Sequence, residues 1–141
     1  KWDLIEKDSN TADEYTREVM DSLSMYSYLP IIYISALSGQ RVARVMTLVK
    51  EVYEQSRRKI ATPDLNDFLQ ATIKKKHPPA QKGKYIKFNY VTQTEIAPPT
   101  FVFFCNHPTL VHKSYISFLS NQLRRQYGFK GVPIRLKFRK K

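Results

Sequence analysis

Residues 30–39, Pro-Ile-Ile-Tyr-Ile-Ser-Ala-Leu-Ser-Gly, constrain the possible folds of this chain more than any other stretch. Ile31, Ile32, Tyr33 and Ile34 form an unbroken β-branched and aromatic run, which predicts a strand covered on both faces in a parallel sheet. The run stops at Ser35, Ala36, Ser38 and Gly39, and in doubly wound α/β folds ligands sit beyond the carboxyl ends of such strands. Val42, Val45, Met46, Val49, Val52 and Tyr53 then recur at helical spacing on one face, predicting a helix over Arg41–Arg58. Its last turn, Ser56-Arg57-Arg58-Lys59, places cations at the negative end of the helix dipole. Upstream, after a turn cluster at Asp8-Ser9-Asn10-Thr11, Thr11 and Glu14 read as a capping box. Tyr15, Val19, Leu23 and Tyr26 mark a helix that ends near Ser24–Ser27 and covers one face of a sheet.

The charge is divided along the chain. Residues 1–61 hold 9 Lys+Arg and 9 Asp+Glu, whereas residues 62–141 hold 15 Lys+Arg against Asp64, Asp67 and Glu95 alone. The formal excess of +12 therefore belongs wholly to the second part, which predicts two modules, 1–61 and 62–141, the second facing a polyanion. No apolar run approaches membrane-spanning length and no signal peptide is evident. The single cysteine, Cys105, lies in the apolar run Phe101–Cys105 with no activating neighbour, so it reads as a core residue in a reducing cytoplasm.

The second module opens at Thr62-Pro63, threonine as N-cap and proline at the first helical position. Leu65, Phe68, Leu69, Thr72 and Ile73 give that helix its apolar stripe, and His77-Pro78-Pro79 ends it. Tyr85–Thr94 alternates, with Ile86, Phe88 and Tyr90 on one side and Lys87 and Asn89 on the other. A turn at Ala97-Pro98-Pro99 leads to Thr100–Asn106, apolar enough for the central place in a sheet. A helix over Val111–Tyr127, capped by Gly128, precedes a strand over Val132–Arg139 that sends Arg135, Lys137 and Arg139 outward. The order is α-β-β-α-β, three strands with two helices on one face.

Two short stretches carry chemistry. Lys1-Trp2-Asp3 followed by Ser35-Ala36-Leu37 resembles the last two guanine-recognition motifs of GTPases. The Asp3 carboxylate can accept the adjacent N1–H and N2–H of guanine, a charge-assisted pair that adenine cannot supply. The Lys1 stem can lie along a purine face with its ammonium in water. A small residue at Ala36 lets a backbone N–H approach guanine O6, and Ser35 can hold the Asp3 carboxylate. In the basic half, Lys74, Lys75, Lys76, Lys82 and Lys84 cluster around one loop and Arg124, Arg125 and Lys130 around another, while Arg135, Lys137 and Arg139 line the last strand. Self-repulsion among so many cations is best relieved by phosphate contact. Tyr85 and Phe129 are candidates to stack on bases.

The order and size of the second module resemble the KH class of RNA-binding domains. Its one Gly-x-x-Gly, Gly128-Phe129-Lys130-Gly131, joins a helix to a strand and reads as a C-cap glycine plus a turn glycine, not the KH clamp. Over its whole length the chain resembles the C-terminal part of the bacterial double-GTPase family called Der or EngA. That resemblance rests on Lys1-Trp2-Asp3, Ser35-Ala36-Leu37, Leu65-Asn66-Asp67, Pro98-Pro99-Thr100-Phe101-Val102-Phe103-Phe104, Ser114-Tyr115-x-x-Phe118-Leu119 and Gly128-Phe129-x-Gly131-x-Pro133-Ile134. It implies α/β followed by α+β: the rear of a P-loop GTPase Rossmann-like sheet, then a basic KH-like domain. It further implies GTP or GDP as ligand, hydrolysis of GTP by the parent protein, and a role in assembly of the large ribosomal subunit. The implied partners are ribosomal RNA and upstream GTPase domains of the same protein, in the cytoplasm and without a membrane. No Gly-x-x-x-x-Gly-Lys-Ser/Thr loop and no Asp-x-x-Gly occurs in the 141 residues, so these alone are expected to be catalytically inactive, with the Mg²⁺ ligands elsewhere. The alternative is a self-standing RNA-binding or protein-interaction module whose guanine site is only scaffold.

Overall fold

A computed structural model describes residues 1–6, 8, 10–23 and 26–141. Its elements are α1 (Thr11–Ser22), α2 (Val42–Ser56), α3 (Thr62–Lys75), β1 (Phe88–Glu95), β2 (Thr100–Cys105), α4 (Lys113–Tyr127) and β3 (Arg135–Lys140), with short 3-10 turns at Trp2–Leu4 and Pro108–Leu110. The expected turn at Asp8–Thr11 and helix end near Ser24–Ser27 fall partly on Ser9 and Ser24, outside the described residues.

The basic half folds as α3-β1-β2-α4-β3 around a mixed three-stranded sheet of order β1-β2-β3. β2 is central, antiparallel to β1 and parallel to β3. Phe101, Phe103 and Cys105 of β2 face α3 and α4, packing with Leu65, Phe68 and Leu69 from the first helix and Tyr115, Leu119 and Leu123 from the second. Burying each such side chain contributes about 1.5–3 kcal/mol relative to leaving it in water. Cys105 is fully buried, and burial pushes its thiol pKa up, as befits a packing residue.

β1 departs from simple alternation. Phe88 pairs with Cys105 but Tyr90 pairs with Phe104, so an extra residue bulges into β1 at Asn89. The bulge turns Tyr90 onto the sheet face opposite the helices and puts Val91, fully buried, into the core beside Phe103. Asn66 on α3 stabilises the irregular segment: its Oδ1 accepts the Val91 N–H at 3.0 Å and its Nδ2 donates to the Thr62 carbonyl at 2.7 Å.

Caps differ from expectation. Asn10, not Thr11, is the N-cap of α1, and the Asp8 carboxylate accepts from the Asn10 and Thr11 N–H groups, both at 2.8 Å. The Thr11 hydroxyl, which also donates to this carboxylate, and then those two N–H bonds hold the Asp8 pKa below the usual carboxylate range. Ala61, not Thr62, is the N-cap of α3. Arg58 does not cap α2; its Nη1 donates to the Tyr127 carbonyl at 2.6 Å, 69 residues away.

The first half supplies helices but no strand ladder among its described residues. Residues 31–34 are half-buried and do not form the expected strand, because no strand lies alongside among the described residues. Val42, Met46, Val49 and Tyr53 of α2 do share one face, yet each is exposed, Met46 by 71%. The helical period was legible; the partner of that face is not among the described residues.

The two halves meet through named bonds. Gly131 N–H donates to the Tyr28 carbonyl at 2.8 Å, Phe129 N–H to Gln55 Oε1 at 3.0 Å, and Gln93 receives Ile60 N–H while donating to the Arg58 carbonyl, both at 2.9 Å. Gly128 (φ +87°) ends α4 as anticipated, and Gly131 (φ +75°) makes the turn against Val52.

Candidate guanine site and basic surfaces

Trp2 organises the first site. It is buried, stacks on Tyr33 with ring centres 4.6 Å apart, and meets Tyr15 of α1 edge-on at 5.8 Å. Its backbone N–H donates to the Ile34 carbonyl at 3.0 Å, and the Lys1 backbone nitrogen donates to the same oxygen at 3.2 Å. Tyr33 is in turn held by a hydroxyl contact with Thr16 of α1 at 3.2 Å. The residue between Lys1 and Asp3, ignored by a motif reading, is thus the anchor that sets both flanking side chains at the end of the extended segment.

Asp3 and Ser35, 32 residues apart, come together as anticipated, the Ser35 hydroxyl donating to Asp3 Oδ1. Ser35 is fully buried; its Oγ also accepts Ser38 N–H at 3.2 Å, and its own N–H reaches the Gln40 carbonyl at 3.2 Å. These bonds close the 35–40 turn into a fixed loop. Ala36 and Leu37 lie exposed at its tip, Leu37 by 88%, and Lys1 is exposed beside it. A carboxylate held by a seryl hydroxyl, a small exposed residue and a lysine stem form a set of groups with the chemistry to meet a guanine edge.

The predicted cations do not form one surface. Lys74 and Lys75 close α3, and Lys76 Nζ lies over the Phe118 ring at 5.3 Å. Lys82 and Lys84 sit in a turn closed by reciprocal Gln81–Lys84 backbone bonds of 3.0 and 2.9 Å, next to Tyr85, which is 82% exposed. Lys130 lines a cleft between residues 30–33 and α2 with Arg41, Arg44 and Glu51, and Arg125 lines a neighbouring groove with Tyr28 and Met20. Arg124 is committed internally: its guanidinium donates to the Phe129 and Val132 carbonyls at 2.7 and 2.8 Å and lies 3.8 Å from the Tyr28 ring centre. Phe129 is fully buried against Phe101 and is no stacking surface, which corrects the expectation for it.

Arg135, Lys137 and Arg139 do project together from the sheet face free of helices. There the register forms three rows: Tyr90–Phe104–Arg139, Thr92–Val102–Lys137 and Glu95–Thr100–Arg135. Lys137 Nζ lies 3.1 Å from Glu95 Oε1, the one ion pair among the described residues. That bond, then one from the Thr100 hydroxyl, keeps the Glu95 pKa below the ordinary carboxylate range. Tyr90 and Phe104 stack beside Arg139, a pair hidden from sequence reading because only the bulge in β1 turns Tyr90 to this side.

Comparison with known proteins agrees with this architecture. Residues 59–139 match the family described as the C-terminal KH-domain-like region of EngA bacterial GTPase enzymes. The whole chain aligns with proteins named GTPase Der, at 47% identity to that of Halothermothrix orenii, 47% to that of Acetivibrio thermocellus and 48% to that of a Thermoanaerobacter species. Each alignment covers 100% of this chain and 32% of the relative, so the chain spans about a third of their length. The chain belongs to the EngA family of bacterial GTPases and carries the family's C-terminal KH-domain-like region.

Proposed function

We propose that residues 1–61 supply the base-reading half of a GTP site in a GTP-hydrolysing protein, and that residues 62–141 dock that protein on ribosomal RNA during assembly of the large subunit. The observation that carries the first part is the Ser35–Asp3 hydrogen bond, which joins two motifs 32 residues apart into one fixed carboxylate. In this reading Asp3 accepts the N1–H and N2–H of guanine, Ala36 N–H donates to O6, and the Lys1 stem covers one face of the ring, with Leu37 beside it. Ser35 is a positioning residue that keeps the carboxylate turned outward. The phosphates and Mg²⁺ require other residues, since these 141 contain no phosphate-binding loop. Support for the RNA role is the +12 formal charge, all of it in the second half, where only Glu95 forms an ion pair.

The test is Asp3→Asn in the intact protein. Asparagine keeps an acceptor for N1–H but presents an amide donor where guanine also donates, whereas xanthine has an acceptor there. Loss of a charge-assisted bidentate pair is expected to weaken GTP binding by roughly 100-fold while xanthosine triphosphate binding rises. Unchanged GTP affinity would remove Asp3 from base recognition.

A further inference from the structure

We propose that the helix-free face of the sheet is a stacking platform for single-stranded RNA, with bases extending the Tyr90–Phe104 ring stack and phosphates held by Arg139 and Arg135. This rests on the RNA-docking reading above and names the surface and the form of the nucleic acid. Both helices pack on the opposite side of the sheet, so this side has no covering element among the described residues.

Tyr90 and Phe104 are cross-strand partners stacked face to face, with ring centres 4.3 Å apart and planes 16° from parallel, so each covers one face of the other and both remain partly exposed, a two-ring stack that a base can extend. Arg139 is next in the same row. Arg135, Lys137 and Arg139 recur on one face of β3, about 6.6 Å apart along the strand, close to the separation of successive phosphates in an extended single strand. Charge is graded along the face. Glu95 neutralises Lys137 at one end, while Arg139 at the aromatic end has no carboxylate within ion-pair distance among the described residues. Beyond that end Lys87 N–H donates to the Asn106 side-chain Oδ1 at 2.9 Å and Asn106 N–H to the Lys87 carbonyl at 3.2 Å, bringing up Lys87 and the exposed Tyr85. A short ring stack beside cations suits unstacked bases and not a duplex, whose bases are already paired and stacked. Because stacking accepts any base, the platform is expected to show little sequence preference.

The experiment measures fluorescence anisotropy of the intact protein with a labelled 12-nucleotide single-stranded RNA and with a hairpin of equal length, between 50 and 200 mM salt. Two variants accompany the wild type. Tyr90→Leu removes a ring at similar volume, and its fold is checked by circular dichroism; Arg139→Gln changes an exposed charge. The expected result is preference for the single strand, a loss of roughly 5- to 100-fold for Tyr90→Leu with an unchanged salt slope, and a slope reduced by about 0.7 for Arg139→Gln. If the wild type binds the single strand and both variants bind equally well, the platform is wrong although RNA docking stands. Variants that leave RNA binding intact but alter GTP turnover would assign the face to a protein contact and likewise overturn it. If the wild type binds no RNA at 50 mM salt, the platform and the docking reading both fall.

Discussion

Gly131 offers a test of how the two halves are joined. Its backbone sits at φ +75°, and a Cβ built there would lie 2.5 Å from Val52 Cγ2 and 3.2 Å from both Val52 Cγ1 and Pro30 Cδ. Gly131→Ala therefore meets two separate costs. Left-handed backbone costs a non-glycine residue about 1–2 kcal/mol. Displacing Val52 from a contact that close adds about 1–3 kcal/mol of overpacking. The sum, about 2–5 kcal/mol, should lower the thermal midpoint by roughly 10 °C for a chain of this size. Gly83→Ala is the control, because Gly83 has φ +71° with nothing within 4 Å of the added Cβ, so only the backbone cost applies. Val52→Ala in the Gly131→Ala background should recover the overpacking part and leave the backbone part, a coupling of about 1–3 kcal/mol. Thermal unfolding followed by circular dichroism on these three variants, Val52→Ala alone and the wild type gives each quantity. Equal losses for Gly131→Ala and Gly83→Ala, with no rescue by Val52→Ala, would refute the packing of Gly131 on α2.

Tyr115 predicts an alkaline limit. Its pKa is pushed up to about 12 by burial, and its hydroxyl donates to the Lys76 carbonyl at 2.8 Å. A folded pKa above the unfolded value of about 10 gives stability that is complete below pH 10 and lost as pH rises toward 12, about 2–3 kcal/mol in all. Tyr115→Phe should flatten that part of the urea midpoint between pH 9 and 11.5; identical pH profiles for the two proteins would count against the assignment. Asn66→Ala strands the fully buried Val91 N–H and should cost about 1–3 kcal/mol, whereas Asn66→Asp keeps the acceptor and should cost less. Chemical denaturation that ranks the two variants in the reverse order would show that the Thr62 bond matters more.

The basic half was legible because its apolar residues face neighbours within the same 80 residues. Leu65, Phe68 and Leu69 repeat at helical spacing, and Phe101 to Cys105 is apolar on both sides, which marks a central strand. Tyr90 was placed on the wrong side because alternation cannot reveal a bulge, which depends on the pairing partner. Arg124 and Arg135 are indistinguishable as letters, yet one binds two carbonyls inside the fold and the other projects from a strand. In the first half the helical period of α2 was legible, whereas the strand expected over Ile31–Ile34 is not formed among the described residues. Strand pairing and burial each need a second surface, and no strand alongside residues 31–34 and no cover for the exposed stripe of α2 is present among the described residues. The Asp3–Ser35 contact was readable from motif chemistry, whereas the anchoring of Trp2 on Tyr33 needed coordinates.

The parallel pairing of β2 with β3 has a kinetic consequence. Residues 100–105 can pair with β1 as soon as a four-residue turn closes, but their other edge waits for residues 135–140, some 30 positions later and beyond all of α4. A chain emerging in order from a ribosome holds the Thr-Phe-Val-Phe-Phe-Cys edge open throughout that interval. Such an edge is a template for pairing with other chains, and its closure carries the slow loop-closing entropy of a long-range contact. The last strand to be made is thus the one that ends the interval in which this domain is prone to aggregate.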